Sequence, residues 1–180
     1  MGYSYSDLEP IPKCPPPKFG LAPQTPTTLA ANNVELALTN SPVHVKLQTP
    51  AGLVPFGAEI KTLPADQRLF LRLKNLRANI QPGVLYHIYL NLPSGAGLDS
   101  AESHRAGLLS FFNFTQMGRH PMDSNNRQRF VSFDVTQVTR ELEAKGLLKE
   151  GPTLTIAPAR RPATGAKVLV GEIDLVQQEA

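Results

Sequence analysis

The sequence predicts an all-β protein: an antiparallel β-sandwich or barrel of jelly-roll type, with one short helix at about 135–145. Apolar and polar residues alternate with a period of two along several short segments between residues 34 and 133, which is the pattern of half-buried strands. A segment near residue 135 instead carries helix start and stop signals, and turn-forming residues separate most of the strands.

The predicted strands follow one another along the chain. Val34–Leu38, Val43–Leu47 and Leu69–Leu73 each place three apolar residues on one face, and Val84–Leu92 places five there. The run Leu108–Phe114 is apolar on both faces, which is typical of a central strand. These segments therefore predict a sheet core built from alternate residues.

Phe130–Phe133 adds a strand that leads directly into the helix. After the helix, Thr153–Ala157 and Lys167–Val176 return to strand. In the last segment the apolar residues change parity at Gly171, so we expect a β-bulge at this glycine.

The helix has recognisable ends. Asp134 can cap its start, and Gln137 follows three residues later in a capping-box arrangement. Gly146 suits a left-handed stop. The apolar stripe of this helix is expected to contain Val135, Val138 and Leu142.

Proline separates the N-terminus from the β domain. Residues 10–28 hold seven of the 17 prolines, which predicts an extended, semi-rigid linker. Residues 1–9 lie beyond this linker, as a frayed terminus or as the last piece of a neighbouring domain. We assign residues 29–180 to the β-sandwich domain.

Composition argues against several function classes. The net charge of +3 is small for 180 residues, so we expect no nucleic-acid partner. No stretch approaches the roughly 20 apolar residues that cross a bilayer, and no signal peptide is visible, so we expect no membrane partner and assign no compartment. Cys14 is the only cysteine, which excludes an internal disulfide.

The sequence predicts no catalytic constellation. Its histidines are interpreted as surface or half-buried residues because none lies three or four residues from another: His44, His87, His104 and His120. Ser110, Ser132 and Asp134 are conceivable hydrolase residues, but no glycine-flanked serine elbow surrounds either serine. We therefore expect that the chain is not an enzyme.

Two predicted loops carry large apolar side chains. Ala51–Gly57 holds Leu53, Val54 and Phe56 between turn formers. Asn113–Met122 carries further apolar side chains, namely Phe114, Met117 and Met122. Exposed apolar tips are costly unless they dock on a partner or fold over the open ends of the sandwich, and both readings stay open.

Five segments, in this order, resemble the C-terminal domain of tyrosinases and polyphenol oxidases. They are Arg68–Leu71, Gly83–Pro93, Arg105–Phe112, Phe133–Thr136 and Val168–Ile173. The resemblance runs over most of residues 30–176. The opening Gly2-Tyr3-Ser4-Tyr5 is similar to the Tyr-x-Tyr motif that closes the catalytic domain in that family. Tyr3 and Tyr5 would then mark the domain boundary, with residues 1–9 as a remnant of the catalytic domain.

The resemblance implies a non-catalytic shielding domain, which covers the active-site entrance of a dicopper phenol oxidase and keeps the enzyme latent. A dicopper site of this type takes more histidines than the four in this chain, and none of the four lies in the family's ligand motifs. The resemblance therefore implies no cofactor here and a dicopper centre in a tyrosinase-type catalytic domain, covalently linked or separate.

In that family an apolar side chain of this domain plugs the substrate pocket. The candidate plug residues are Phe56 and Leu53 first, and Met117 and Met122 second. Cys14 in the linker is a candidate for copper transfer, with an inert exposed thiol as the alternative.

Two other functions stay open. A free-standing β-sandwich binding module for carbohydrate or protein would present an aromatic platform, for which Tyr86, Tyr89 and Phe111 are the candidates. A small hydrolase would depend on Ser110.

Overall fold

The computed structural model describes residues 25–50, 56–93, 95–97, 101–112, 114, 130–148 and 151–179. Within them, ten strands form antiparallel sheets and two short α-helices pack against each other. The predicted all-β sandwich with a helix near residue 140 is confirmed. Tyr3, Tyr5 and Cys14 lie outside the described residues, so their assignments stay predictions.

The strands in chain order are β1 (Thr27–Asn32), β2 (Leu36–Leu38), β3 (Val43–Lys46), β4 (Gln67–Lys74), β5 (Tyr86–Leu90), β6 (Arg105–Leu109), β7 (Phe130–Asp134), β8 (Thr153–Pro158), β9 (Val168–Val170) and β10 (Glu172–Glu179). The helices are α1 (Phe56–Lys61) and α2 (Thr136–Ala144). A 3-10 turn covers Glu102–His104.

Two four-stranded sheets form the sandwich. Sheet one has the strand order β1-β10-β4-β7, and sheet two has the order β3-β8-β5-β6. β2 and β9 form a two-stranded ribbon. The ribbon is continuous with both sheets, because β2 leads into β3 and β9 leads into β10.

The core lies between the inner faces of the two sheets. In β4 the alternation predicted from the sequence is confirmed, because Leu69, Leu71 and Leu73 are each 0% exposed. Ile88 in β5 and Ile156 in β8 face them from sheet two and are at most 1% exposed. Burying a side chain of this size contributes about 1.5–3 kcal/mol.

The apolar residues change parity at Gly171 because the chain passes there from the ribbon to sheet one. The prediction of a β-bulge at this glycine is therefore wrong. β9 pairs with β2, whereas β10 pairs with β1 and β4. The Gly171 N–H donates to the Lys74 carbonyl at 3.1 Å, and a Cβ at Gly171 would lie 2.6 Å from the Asn75 Cβ. Glycine is required here because the two backbones approach so closely.

The prediction of a central strand over Leu108–Phe114 is also wrong. β6 ends at Leu109 and is the terminal strand of sheet two. Leu108 is 40% exposed and Phe112 is 76% exposed, while Leu109 and Phe111 are each 1% exposed. The segment therefore alternates in burial although both of its faces are apolar.

The N-terminal edge of the sandwich begins earlier than predicted. β1 starts at Thr27, so the end of the predicted linker belongs to sheet one and the proposed boundary at residue 29 falls inside a strand. Val34, predicted as a strand residue, is 68% exposed and lies between β1 and β2.

The predicted capping box at α2 is wrong, although Asp134 acts at the helix start. The Asp134 Oδ1 accepts a hydrogen bond from the Thr136 N–H at 3.0 Å. The Gln137 Nε2 donates to Glu141 Oε1 at 2.9 Å, along the helix surface, instead of reaching back.

The predicted stop of α2 at Gly146 is confirmed. Gly146 has φ 70°, and its N–H donates to the Glu143 carbonyl at 2.7 Å. The Leu147 N–H donates to the Leu142 carbonyl at 2.9 Å. These two bonds form a Schellman motif, which satisfies carbonyls that the helix leaves unpaired.

The start of α2 is bound to β4. The Leu69 N–H donates to the Thr136 Oγ1 at 2.9 Å, and the Leu69 carbonyl accepts from the Val135 N–H at 2.9 Å. The Arg68 Nη1 lies 2.9 Å from the Asp134 Oδ2. Partial burial raises the pKa of Asp134, but the hydrogen bonds from Thr136 and the Arg68 guanidinium outweigh this effect and hold the pKa below its usual value.

β6 and β7 meet across the sandwich at a glycine. A Cβ at Gly107 would lie 2.4 Å from the Phe133 Cδ1. The Phe133 ring therefore occupies space that any other residue at position 107 would need.

No helix among the described residues is long and apolar enough to span a bilayer.

We predict that Gly107→Ala lowers the free energy of unfolding by about 1–3 kcal/mol, because the added methyl overlaps the Phe133 ring. Urea unfolding monitored by circular dichroism measures the change. The matched control is Gly57→Ala in α1, where a Cβ meets its nearest atom at 3.4 Å and is expected to be neutral or slightly stabilising. Equal effects of the two substitutions would contradict the close contact at Gly107.

We predict that Asp134→Ala lowers the free energy of unfolding by about 0.5–1 kcal/mol at pH 7 because the helix start loses its acceptor, the ion pair being partly exposed. The folded pKa is lowered, so the charged-state contribution is present above the unfolded value of about 3.9. This contribution is lost as the pH falls through the folded pKa, so the difference from the wild type should shrink below about pH 4. Asp66→Ala, at an exposed position, is the control in the same urea titrations.

Candidate functional site

The first predicted apolar loop does not present Phe56 to a partner. Phe56 begins α1 and is 2% exposed, and Ile60, four residues later, is 4% exposed. Residues four apart lie on one face of a helix, and both side chains join the hydrophobic core together with Leu142 of α2. The prediction that Phe56 is a plug is therefore wrong, because its side chain fills the chain's own interior.

α1 lies against α2 and the residues that follow it. The Lys61 Nζ lies 3.2 Å from the Glu143 Oε1, and a Cβ at Gly57 would lie 3.4 Å from the Leu148 carbonyl oxygen. Leu53, the other candidate in this segment, lies outside the described residues.

The second predicted apolar loop is described in part. Met117 and Met122 lie outside the described residues, so their assignment as plug candidates stays a prediction. Phe114 packs back on the domain: its carbonyl accepts from the Ala78 N–H at 3.1 Å, and its ring meets the Phe111 ring edge-on at 6.1 Å.

A cleft of about 360 Å³ lies beyond the end of β6. One wall is the segment before β5, the other is the segment after β6, and the residues that follow β8 complete it. We call it the Phe112 cleft, and its main lining residues are Gln81, Val84, Leu85, Phe111, Phe112 and Arg160.

The walls of the Phe112 cleft are fixed by hydrogen bonds. The Gln81 Nε2 donates to the Phe112 carbonyl at 2.5 Å, and the Phe112 N–H donates to the Ser110 Oγ at 3.3 Å. The Arg160 Nη2 donates to the Gly83 carbonyl at 2.8 Å. The backbone of Phe112 and the guanidinium of Arg160 are therefore each fixed by a bond to the segment before β5.

The rim of the cleft is apolar and exposed. Leu85 is 45% exposed, and Phe112 is more exposed than any other large apolar residue in the described part of the chain. Leu108 lies beside His87 on the same outer face of sheet two. Clustered apolar exposure of this kind is typical of surfaces that bind a ligand or a partner.

Sequence reasoning placed Phe112 inside a central strand and so missed its exposure. The signal that could have found it is the period of two itself. Leu109 and Phe111 share one parity, and Leu108, Ser110 and Phe112 share the other. Because the outward residues include leucine and phenylalanine, hydropathy alone concealed the alternation.

The described histidines are not brought together. The His104 Nδ1 bonds to the Leu90 carbonyl at 2.8 Å, and the His44 Nδ1 bonds to the Thr155 Oγ1 at 2.9 Å. The ring of His87 stacks on that of Tyr89 at 6.1 Å between centroids. In the part of the chain that the structure describes, no three His, Cys, Asp or Glu side chains are grouped to hold a metal ion.

The predicted aromatic platform of a carbohydrate-binding module is not formed by Tyr86, Tyr89 and Phe111, because these side chains are buried. Tyr86, Tyr89 and Phe111 are 0%, 4% and 1% exposed. Tyr86 and Phe111 meet edge-on at 5.6 Å inside the core, and burial raises the pKa of the Tyr86 hydroxyl. Tyr89 is covered by contacts with Ala101 and Ala157 on the other side of sheet two.

The residues considered for a hydrolase are separated. Ser110 follows β6 in sheet two, whereas Ser132 and Asp134 belong to β7 in sheet one. The Ser110 hydroxyl accepts a backbone hydrogen bond, and the Asp134 carboxylate is engaged by Arg68 and Thr136. This arrangement serves the fold, and it brings no general base to Ser110 from Asp134.

Residues 25–178 match a family described as "Domain of unknown function (DUF7868)". No curated protein matches the sequence.

The chain is also similar to parts of solved structures of latent polyphenol oxidases. A recombinant latent aurone synthase (polyphenol oxidase), co-crystallized with hexatungstotellurate(VI), is 18% identical with a TM-score of 0.49, over 80% of this chain and 25% of that chain. Latent apple tyrosinase is 17% identical with a TM-score of 0.46, over 81% of this chain and 27% of that chain. The chain thus spans about a quarter of the length of these structures.

We predict that Phe112→Ala changes the free energy of unfolding by less than about 0.5 kcal/mol, because the side chain is 76% exposed. Its matched control is the neighbouring Phe111→Ala, which should cost about 3–5 kcal/mol because a core ring is lost. Urea unfolding compares the two variants. Similar losses in both would mean that Phe112 packs in the interior.

Proposed function

The chain belongs to the family "Domain of unknown function (DUF7868)", and we propose that it is a non-catalytic regulatory domain of a tyrosinase-type dicopper phenol oxidase. In this proposal it covers the active-site entrance of a tyrosinase-type catalytic domain and keeps that enzyme latent. The dicopper centre and the oxidation chemistry belong to that partner, either linked through residues 1–28 or present as a separate chain.

The observation that carries the proposal is that four of the five segments resembling the tyrosinase C-terminal domain are paired neighbours in the fold. Phe70 pairs with Asp134 between β4 and β7, and His87 pairs with Leu108 between β5 and β6. The Phe133 ring lies against Gly107, which joins these two pairs of segments. The resemblance therefore concerns one packed frame, which supports reading it as a domain-level likeness and not as scattered short matches.

The surface of the domain supports docking on a protein. The exposed apolar rim of the Phe112 cleft suits contact with another polypeptide, whereas the candidates for a carbohydrate platform are buried. A domain held by a short tether acts at an effective concentration of about 1 mM, so even weak docking occludes an entrance efficiently. The part of residues 10–28 that precedes β1 would supply this tether, with Tyr3 and Tyr5 at the end of the catalytic domain.

We propose that the plug residue is one of the three remaining candidates, Leu53, Met117 and Met122. Phe56 is excluded because its side chain is buried in the domain's own core. Cys14 stays a candidate for copper transfer within the same proposal.

The test is a fusion of the whole chain, through its own residues 1–28, to a tyrosinase-type catalytic domain. If docking has a dissociation constant of about 0.1 mM, an effective concentration of about 1 mM lowers the rate of diphenol oxidation by about tenfold. The same chain added separately at micromolar concentration should have little effect, and cutting an engineered protease site within residues 10–28 should restore the rate. A fusion that oxidises diphenol as fast as the free catalytic domain would overturn the proposal.

Single substitutions in the fusion test the plug. Leu53→Asn, Met117→Asn or Met122→Asn should raise the rate of the fused enzyme at the residue that fills the pocket, because a polar amide is poorly accommodated there. Val34→Asn is the matched control, since that side chain is already 68% exposed. If none of the three raises the rate while the fusion stays latent, the plug assignment is wrong and the covering role stands.

A further inference from the structure

We propose that the Phe112 cleft is a binding site for a small aromatic carboxylate. The aromatic ring lies against the exposed side chains of Leu85 and Phe112, and the carboxylate meets the guanidinium of Arg160. This inference concerns the free chain, in which Leu85 and Phe112 are exposed, and it is tested on that chain alone, so it can fail without the proposed function failing.

The size and floor of the cleft suit one ring with a short chain. Its volume of about 360 Å³ lies at the lower end of the range of small-molecule sites, roughly 300–1,000 Å³. The floor is preformed because the Phe111 ring is held edge-on by Tyr86 at 5.6 Å and by Phe114 at 6.1 Å. The core beneath the cleft is therefore already packed, and a ligand ring would contact the exposed Leu85 and Phe112 above it.

One wall combines a fixed backbone with an exposed side chain. The carbonyl and the N–H of Phe112 are bound by Gln81 and Ser110, while its ring is 76% exposed. A ring in the cleft would cover that exposed surface, and aromatic pairs favour offset or edge-on contact. The apolar part of the ligand is thus predicted to be aromatic.

The charge of the cleft selects an anion. Arg160 is held to the Gly83 carbonyl by one Nη2–H, and a guanidinium has further N–H groups to offer a carboxylate. The described residues that line the cleft include no Asp or Glu. The cleft thus has a positive charge beside an apolar surface and no carboxylate to neutralise it. This combination favours an apolar ligand that carries a carboxylate.

The test is a titration of the full ¹⁵N-labelled chain with 3-phenylpropanoate, followed by amide chemical shifts. We expect saturable shifts centred on Gly83, Leu85 and Phe112, with a dissociation constant of about 1 mM for a ligand of this size. The uncharged 3-phenylpropan-1-ol should bind about tenfold more weakly, because a charge-assisted hydrogen bond is lost.

Variants separate the charge from the apolar wall. Arg160→Gln should weaken 3-phenylpropanoate about tenfold and leave the alcohol nearly unchanged. Arg161→Gln is the matched control, because the neighbouring arginine lines a different depression beside residues 162–168. Phe112→Ala should weaken both compounds.

Three results would overturn the inference: shifts that do not saturate or are scattered over the surface, equal affinity for acid and alcohol, or no effect of Arg160→Gln. Should Arg160→Gln perturb the fold, through loss of the bond to Gly83, its amide spectrum will reveal it. The comparison of acid with alcohol on the unaltered chain then decides.

Discussion

The backbone pairing of β4 is the interaction on which the rest of the structure depends. This strand is bonded to β10 on one side and to β7 on the other, and its three inward leucines are fully buried. At Leu69, both backbone polar groups also bind the start of α2. β4 thus positions the inner face of sheet one, the start of α2 and the strand β7. The Phe133 ring of β7 in turn contacts sheet two at Gly107.

Strand positions could be predicted from the sequence where one face of the strand is exposed to solvent and the other is buried. β3 and β4 were located correctly because polar residues occupy most of the positions between their inward apolar ones. The exposure of Phe112 could not be predicted because an apolar residue occupies this outward position. The hydropathy pattern therefore did not distinguish outward from inward residues. Phe56 was misread because a six-residue helix is too short to show its period and owes its stability to packing on α2.

Tertiary assembly, and not any local motif, creates the candidate site. Gln81 and Phe112 are 31 residues apart in the chain, and Gly83 and Arg160 are 77 apart, yet each pair is joined by one hydrogen bond. Such contacts follow only from the order of strands in sheet two. The sequence alone could not predict the cleft, because its walls come together only through the pairing of strands in sheet two.

The passage at Gly171 has a consequence for any association the domain enters. The ribbon of β2 and β9 is joined to sheet one through one residue that lies in close contact with Lys74 and Asn75. The backbone bonds between Arg77 and Leu169 also bind the ribbon to the segment that follows β4. Surfaces carried by the ribbon and by sheet one should therefore meet another molecule as parts of one stiff body, with little conformational entropy to lose on complex formation.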